Sequence, residues 1–220
     1  MNKDDWYRSD EWTSEAQEEF FSRLKRSRTV FHKAQYCYIK ACALWRSGDK
    51  KRVVAALELT DRILSEWSDD SRIHHTYALR AGCCEELGDL NGAIEDYLRC
   101  FALMRRLPKG FDITAPLDFG WLCLRRQLTE HYPLAIELAQ ESSFIFPMHR
   151  FMRAAIISVL THRSGGDSAV TRDQAMNALK AAGETESGFR RHPQMGLVGD
   201  ADPEIISELF AIAGQRPEQF

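Results

Sequence analysis

Histidine and cysteine are the residue types that most often bind metals or act as nucleophiles, and the chain has seven histidines and six cysteines. His74 and His75 are adjacent, so on a helix their side chains diverge and cannot easily share a metal ion. No histidines have the i, i+4 spacing of a helical zinc site, and no cysteines have the Cys-x-x-Cys spacing. We therefore predict neither a metal site nor a cofactor.

The six cysteines lie in apolar stretches with a helical pattern: Cys37, Cys42, Cys83, Cys84, Cys100 and Cys123. Such thiols are typical of core residues, whereas a disulfide framework would suit a shorter secreted chain. We interpret all six as reduced core residues of a cytoplasmic protein.

Common enzyme motifs are missing from the sequence. The chain has no Gly-rich phosphate loop, no Gly-x-Ser-x-Gly elbow and no His-Glu-x-x-His motif. Its carboxylates are numerous, but no spacing singles out a catalytic pair. We predict that the protein is not an enzyme, and we assign no catalytic residue.

Charge and hydropathy narrow the class of protein. The 29 Lys and Arg residues and 32 Asp and Glu residues give a net charge of -3, unlike the basic balance of a dedicated nucleic-acid binder. No apolar run approaches the about 20 residues that a membrane helix needs. Residues Met1–Trp6 hold no apolar signal core. These features favour a cytoplasmic protein without a membrane span.

A cationic cluster of Arg190, Arg191 and His192 lies in the irregular segment 183–202. These side chains either contact a phosphate or carboxylate, or bond helix carbonyls and nearby acids. The apolar residues expected to anchor this segment are Phe189, Met195, Leu197 and Val198.

A second cationic cluster lies in residues 20–33 and follows the acidic residues of 1–19. That order of charges favours one solvated helix with its macrodipole neutralised at both ends. Ser14 and Gln17 have the spacing of a capping box at the start of this helix. Binding of RNA or of an acidic partner is the alternative role of the basic residues.

The whole pattern of apolar residues is helical, with no sustained alternation of period two. The predicted helices are 14–31, 34–47, 50–67, 71–87, 90–106, 116–129, 133–145, 148–163, 170–182 and 203–213. No Gly or Pro separates the first two, so they are either two helices or one long rod.

A helical hairpin recurs along the chain. Gly48-Asp49 precedes Val53, and Gly88-Asp89 precedes Ala93 at the same spacing, 40 residues later. The corresponding small residue of the third hairpin is Ala135, 42 residues after Ala93, and that of the fourth is Ala175, a further 40 residues on. In the first two turns, Gly suits a helix C-terminus and Asp caps the next helix; Gly-Asp is absent before Tyr132 and shifted before Ala175. The small residue lets two helices approach closely. An apolar stripe follows, which one hairpin cannot bury without a neighbour.

The segment Glu86–Tyr97 resembles the central turn of a tetratricopeptide repeat, with Tyr77 and Ala81 at the aromatic and small positions of its first helix. The whole chain is similar to uncharacterised bacterial tetratricopeptide-type proteins. The shared elements are Asp5-Trp6-Tyr7-Arg8, Glu11-Trp12, Ser187–Pro193 and Gly196–Val198.

The resemblance implies an all-α, right-handed α-solenoid of about four tetratricopeptide-like hairpins in a single domain, 1–220. Its parts are an N-terminal extension and helix (1–33), repeats at about 34–69, 70–109, 112–146 and 147–183, and a C-terminal loop with a capping helix (184–220). Trp6, Tyr7 and Trp12 are expected to dock, either on the first hairpin or on a second subunit. Ile205, Ile206, Leu209 and Phe210 would cover the end of the stack.

In this family the first helix of each hairpin lines a concave surface. Carried over, the partner-binding positions are Tyr38, Ile39, Trp45, His75, Leu79, Glu86, Trp121, Leu124 and Ile157, with Cys42, Gly82, Ile156 and Leu160 beside them. An apolar, aromatic lining suits a peptide or a protein surface. The alternative is that the chain's own termini fill this groove.

The sequence thus favours a cytoplasmic scaffold or adaptor that binds a peptide or protein partner without covalent chemistry. One alternative is an inhibitor or immunity protein that occludes a bacterial toxin. Another is binding of nucleic acid or an acidic partner through the basic clusters. The oligomeric state is left open.

Overall fold

A computed structural model describes residues 6–67, 72–106, 114–143 and 145–215. Within these ranges the protein is all-α, with ten α-helices, one 3₁₀ turn (Thr129–His131) and no strand. The helices are α1 (Ser14–Arg26), α2 (Val30–Arg46), α3 (Lys50–Glu66), α4 (Ile73–Leu87), α5 (Leu90–Met104), α6 (Ala115–Arg126), α7 (Tyr132–Glu141), α8 (Pro147–Arg163), α9 (Ser168–Ala182) and α10 (Pro203–Ala213).

The predicted helices are confirmed, but several of their ends are corrected: α6 ends at Arg126 and α7 at Glu141, where 129 and 145 were predicted, and α2 begins at Val30 instead of 34. The first helix ends at Arg26, and Thr29 caps a separate α2 by accepting a hydrogen bond from the His32 N–H at 3.2 Å. The predicted helix start at 71, the repeat borders at 69, 70, 109 and 112, and Met1–Asp5 of the N-terminal extension lie outside the described residues.

The turns of the first two hairpins, α2–α3 and α4–α5, use the predicted Gly and Asp residues. Gly48 and Gly88 have left-handed backbones with φ of 67° and 84°. Asp49 Oδ1 accepts from the Arg52 N–H at 3.0 Å, and Asp89 Oδ1 accepts from the Gly92 N–H at 2.9 Å. Each Asp therefore satisfies an N–H group that the first turn of a helix leaves without an intrahelical partner.

The capping box predicted at Ser14 is wrong by one residue. Thr13 is the N-cap of α1, and its hydroxyl accepts from the Ala16 N–H at 3.2 Å. Gln17 instead donates its side-chain amide to the Trp12 carbonyl at 3.2 Å. Thr13 takes the cap because its backbone is extended, whereas Ser14 already belongs to the helix.

The chain divides into two compact units, Met1–Phe111 and Asp112–Phe220. The first holds α1–α5 and the second α6–α10. The boundary falls between the second and third predicted repeats. The assignment of the whole chain to a single repeat domain stays a prediction.

In the first unit, α2 pairs with α3 and α4 with α5, while α4 also packs on α3 and touches α2. The apolar stripe predicted in the second hairpin is Ala93, Tyr97, Phe101 and Met104; the first three are buried and Met104 is half-buried. Arg80 of α4 joins the hairpins: it contacts Asp96 of α5 through two hydrogen bonds of 2.6 and 2.7 Å and Asp61 of α3 through one of 2.8 Å. These carboxylates raise the pKa of Arg80 further above neutrality.

The second unit repeats this arrangement. Helix α6 pairs with α7 and α8 with α9, while α8 also packs on α7 and α6. Ala135 and Ala175, the small residues of the predicted hairpins, are fully buried. Helix α10 covers α8 and α9 with Ile205, Leu209 and Phe210, which confirms that it caps this unit's last hairpin.

The N-terminal segment docks on the first unit, as predicted for its aromatic residues. The Trp6 ring lies 5.2 Å from the Phe20 ring and 5.1 Å from the Tyr36 ring, measured between centroids. Tyr7 and Trp12 are also half-buried against this core.

Lys40 of α2 fastens this segment, a role that the sequence did not indicate. Its side chain is only 1% exposed, and its ammonium donates to the carbonyls of Ser9 and Glu11 at 2.8 and 3.0 Å. The ammonium also lies 5.4 Å from the Trp12 ring centroid. Burial lowers the pKa of Lys40, and acids such as Glu11 oppose that shift.

Candidate partner-binding surfaces

Helices α2 and α4, the first helices of the two hairpins in the first unit, lie side by side. The Tyr38 and His75 ring centroids are 6.2 Å apart, and the Trp45 indole packs on Gly82. Both contacts join residues 37 positions apart in the sequence. The two helices therefore run parallel and in constant register, as successive repeats require.

A cavity of about 300 Å³ opens between these helices. Its lining residues are Ala34, Tyr38, Ile63, Arg72, His75 and Thr76. Aliphatic side chains and the Tyr38 ring make the walls largely apolar, and His75 and Arg72 add polar groups. A space of this size and lining suits one large apolar side chain.

The electrostatics of the cavity keep Tyr38 neutral. Burial raises the pKa of the Tyr38 hydroxyl, and the neighbouring Cys42 adds to this shift. At neutral pH Tyr38 is therefore an aromatic wall with a polar tip, and it cannot serve as an anionic nucleophile.

Most of the predicted groove residues in the first unit are accessible. Tyr38, Ile39, Trp45 and His75 are half-buried, and Glu86 is exposed at the end of α4. Leu79 is the exception, because it is buried in the core of the unit. We therefore remove Leu79 from the candidate surface, which we call the α2/α4 groove: Tyr38, Ile39, Trp45, His75 and Glu86.

The second unit has a larger cleft of about 1060 Å³. One wall comes from α6 and α8, with Trp121, Arg125, Met148, Phe151 and Met152; the other is the stretch 198–203. Of the predicted residues, only Trp121 lines it, with its ring centroid 5.8 Å from that of Phe151. We call this space the C-terminal cleft.

Leu124 and Ile157, also predicted to contact a partner, are 1% and 3% exposed. They pack inside the second unit, because Gly120 brings α6 close enough to α8 that a methyl group there would lie 2.8 Å from Ile156 Cδ1. We assign both residues to the core. The sequence missed Met148 and Met152, whose i, i+4 spacing on α8 was the available signal.

The C-terminal segment is only partly anchored as predicted. Phe189 stacks on Phe146, with centroids 5.1 Å apart, and Leu197 and Val198 are half-buried. Met195 is 47% exposed, so its assignment as an anchor is wrong. Met195 lies in the turn region before Gly196. The Gly196 carbonyl accepts a hydrogen bond from the Met148 N–H at 2.8 Å, so a backbone contact holds this part of the segment against α8.

Arg190, Arg191 and His192 lie on the exposed turn of this segment. The Ser187 hydroxyl holds the turn by donating to the His192 carbonyl at 3.1 Å. Among residues 6–67, 72–106, 114–143 and 145–215, neither arginine forms an ion pair or bonds a helix carbonyl. Contact with an external anion stays a prediction.

Three of the basic residues predicted to neutralise the C-terminal end of the first helix lie at that end of α1. Arg23, Lys25 and Arg26 lie in its last turn, and Arg23 pairs with Glu19 at 2.6 Å. Lys25 and Lys33 also border a pocket of about 300 Å³ beside Trp67. Binding of nucleic acid or an acidic partner by this cluster stays a prediction.

Five of the six cysteine thiols are buried. None of the six is in a disulfide, and Cys42 is the half-buried one. Burial raises the pKa of Cys37, Cys83 and Cys123 to about 12 and that of Cys84 to about 11. Since the thiolate is the nucleophile and metal ligand, these groups act as core residues.

Comparison of the chain with protein-family models, curated proteins and solved structures finds no match. Across the described ranges, none of the helices is both long and apolar enough to span a membrane.

Proposed function

We propose that this protein is a protein-interaction module that binds a peptide segment of a partner on the α2/α4 groove. The observation that carries the proposal is the cavity of about 300 Å³ with Tyr38 and His75 on its walls. Both residues belong to the first helices of successive hairpins, the position at which tetratricopeptide-like proteins present their binding surface.

The proposal includes the finer architecture: a right-handed α-solenoid of about four tetratricopeptide-like hairpins in a cytoplasmic protein. The constant register between α2 and α4 supports a translational repeat in the first unit. The same order of packing in α6–α9 supports a second pair of hairpins. The absence of a disulfide among the six described cysteines supports a reducing compartment.

The groove defines the kind of segment that it accepts. One large apolar side chain fills the cavity beside Tyr38, and its neighbours contact Ile39 and Trp45. His75 and Glu86 are 11 positions apart on α4, a rise of about 16 Å, which an extended peptide of about five residues spans. Glu86 then favours a cationic residue at that end of the peptide.

A peptide selection tests this proposal. A random peptide library is displayed on phage and selected against the full chain, and the enriched peptides are titrated by fluorescence anisotropy. We expect a shared large apolar residue, and a loss of affinity of at least about tenfold in Ile39→Asp.

Val54→Asp is the matched control, because Val54 is an exposed apolar residue on α3 of the same unit. It should leave the affinity unchanged. The proposal fails if no peptide is enriched, or if Ile39→Asp binds the enriched peptides as well as Val54→Asp does.

A further inference from the structure

We propose that the second unit carries a separate docking surface, the C-terminal cleft with its rim, for an acidic peptide segment that bears large apolar side chains. This surface is built from α6, α8 with the residues 145–146 that precede it, and the segment 184–203, and it shares no residue with the α2/α4 groove.

The apolar part of the surface extends beyond the cleft. Met148 lines the cleft and is 40% exposed, and Ile145, next to Phe146 in the chain, is 76% exposed. Phe189 stacks on Phe146 and is itself partly exposed, as is Met195 beside Gly196. Large apolar side chains thus continue from the cleft onto its rim, and such contiguous patches mark interaction sites.

The loop wall of the cleft presents backbone groups that no other described residue bonds. Within the described part of the chain, residues 198–201 neither donate nor accept a backbone hydrogen bond. Backbone N–H and C=O groups that lie beside an apolar cleft favour a ligand with matching donors and acceptors. A peptide backbone supplies both, whereas lipid chains supply neither.

The charges define where the acidic groups of the ligand lie. Arg190 and Arg191 are exposed on the turn that begins at Phe189, and no described residue forms an ion pair with either. Asp200 lies on the loop wall and Arg125 on the helix wall of the cleft, and Asp202 accepts from the Glu204 N–H at 3.0 Å. The ligand's carboxylates therefore meet the arginines at the rim, and its uncharged part lies along the cleft.

The same charges argue against other macromolecules. A nucleic acid would bring phosphates along the whole cleft, where the lining carboxylates of Asp200 and Asp202 outnumber the one lining cation, Arg125. A lipid chain would offer neither a donor nor an acceptor to the backbone groups of 198–201, which a peptide backbone can bond. A peptide can occupy the cleft and contact the arginines of the rim at the same time.

The test uses the full chain, labelled for NMR, and an array of short synthetic peptides in which Leu, Phe or Trp is followed by Glu residues. A matched array carries Lys in place of Glu. We expect peptides with Glu to bind and to shift the Trp121 indole signal and the amide signals of 198–201. Peptides with Lys should not bind.

The double variant Arg190→Glu/Arg191→Glu should lower the affinity for the Glu peptides by at least about tenfold. Both side chains are exposed, so the fold should be retained. The matched control is Arg172→Glu/Lys180→Glu on α9, which reverses two exposed charges of the same unit and should leave the affinity unchanged.

The proposal is overturned if no peptide with Glu binds, if peptides with Lys bind equally well, or if reversal of Arg190 and Arg191 has no effect. Stronger binding to phosphatidylserine vesicles or to single-stranded RNA than to every Glu peptide would also overturn it. Ile39→Asp should not change this binding, so the result is independent of the α2/α4 groove.

Discussion

The indole ring of Trp45 packs directly on Gly82, and a methyl group at that glycine would lie 3.0 Å from the Trp45 Cζ2 atom. The close approach of α2 and α4 at this point therefore leaves little room for a side chain at position 82 while the Trp45 ring keeps its place. Together with the Tyr38–His75 contact, it fixes the floor of the α2/α4 groove.

Gly82→Ala should displace Trp45 without unfolding the protein. The clash pushes the ring away, while Ala gains up to about 1 kcal/mol of helix propensity over Gly, so the free energy of unfolding should change by less than about 1 kcal/mol. The Trp45 indole N–H signal in NMR spectra, assigned with Trp45→Phe, should shift clearly. Gly199→Ala is the control, because nothing lies within 4 Å of its added methyl group. An unmoved Trp45 signal in Gly82→Ala would show that the contact is not tight.

Lys40→Met should release the N-terminal segment. The variant leaves the Ser9 and Glu11 carbonyls without their ammonium donor, so we expect a loss of about 2 kcal/mol in the free energy of unfolding, measured in urea. Limited proteolysis should also cut before α1 faster. Lys51→Met, at an exposed position of α3, serves for comparison and should change neither quantity. Equal stability of the two variants would remove the proposed role of Lys40.

Asp96→Ala should destabilise the first unit strongly. Asp96 is 2% exposed and receives two hydrogen bonds from Arg80, so its loss leaves a partly buried guanidinium without its main partner. We expect a cost of about 3 kcal/mol in chemical denaturation. Glu95→Ala removes an exposed partner of Arg99 on the same helix and should cost less than about 0.5 kcal/mol. A cost for Asp96→Ala no greater than that for Glu95→Ala would contradict this account.

The buried thiols should make the protein less stable in alkaline solution. Cys123 keeps its proton in the folded chain up to a pKa of about 12, whereas an exposed thiol loses it near 9.0. Between pH 9 and pH 12, unfolding of the chain therefore releases a proton from this thiol. The contribution of the protonated thiol to the free energy of unfolding is complete below pH 9 and is lost as the pH rises toward 12.

Cys123→Ala should therefore reduce the decline in the free energy of unfolding with pH, by up to about 1.4 kcal/mol per pH unit. Urea denaturation on both sides of pH 9 measures this slope. Val159→Ala, another buried truncation in the second unit, should lower stability equally at every pH. An unchanged slope in Cys123→Ala would mean that this thiol titrates normally in the folded protein.

Local signals explain why the helices could be predicted. The caps at Asp49 and Asp89 and the left-handed Gly48 and Gly88 need only neighbouring residues, so the sequence contains their full cause. The break between α1 and α2 was left open because Thr29, and no Gly or Pro, produces it.

The candidate sites depend on contacts that are distant in sequence, and these were predicted less well. Lys40 is buried only because the chain folds back more than 28 residues to cover it. The repeat pattern predicts Leu124 and Ile157 on a surface, because helix positions are carried over from the family. In the structure both residues are buried, where α6 and α8 approach closely at Gly120 and Ile156. The cleft wall formed by residues 198–203 could not be predicted, because the segment before it is irregular and shows no hydrophobic periodicity.

Photo-crosslinking tests the central proposal, peptide binding in the α2/α4 groove, most directly. Benzoylphenylalanine is placed at position 38 in one variant of the full chain and at position 54 in another, and each is irradiated with a peptide selected against the unaltered protein. We predict a covalent adduct from position 38 and none from position 54. Adduct formation from position 54 but not from position 38 would contradict the account.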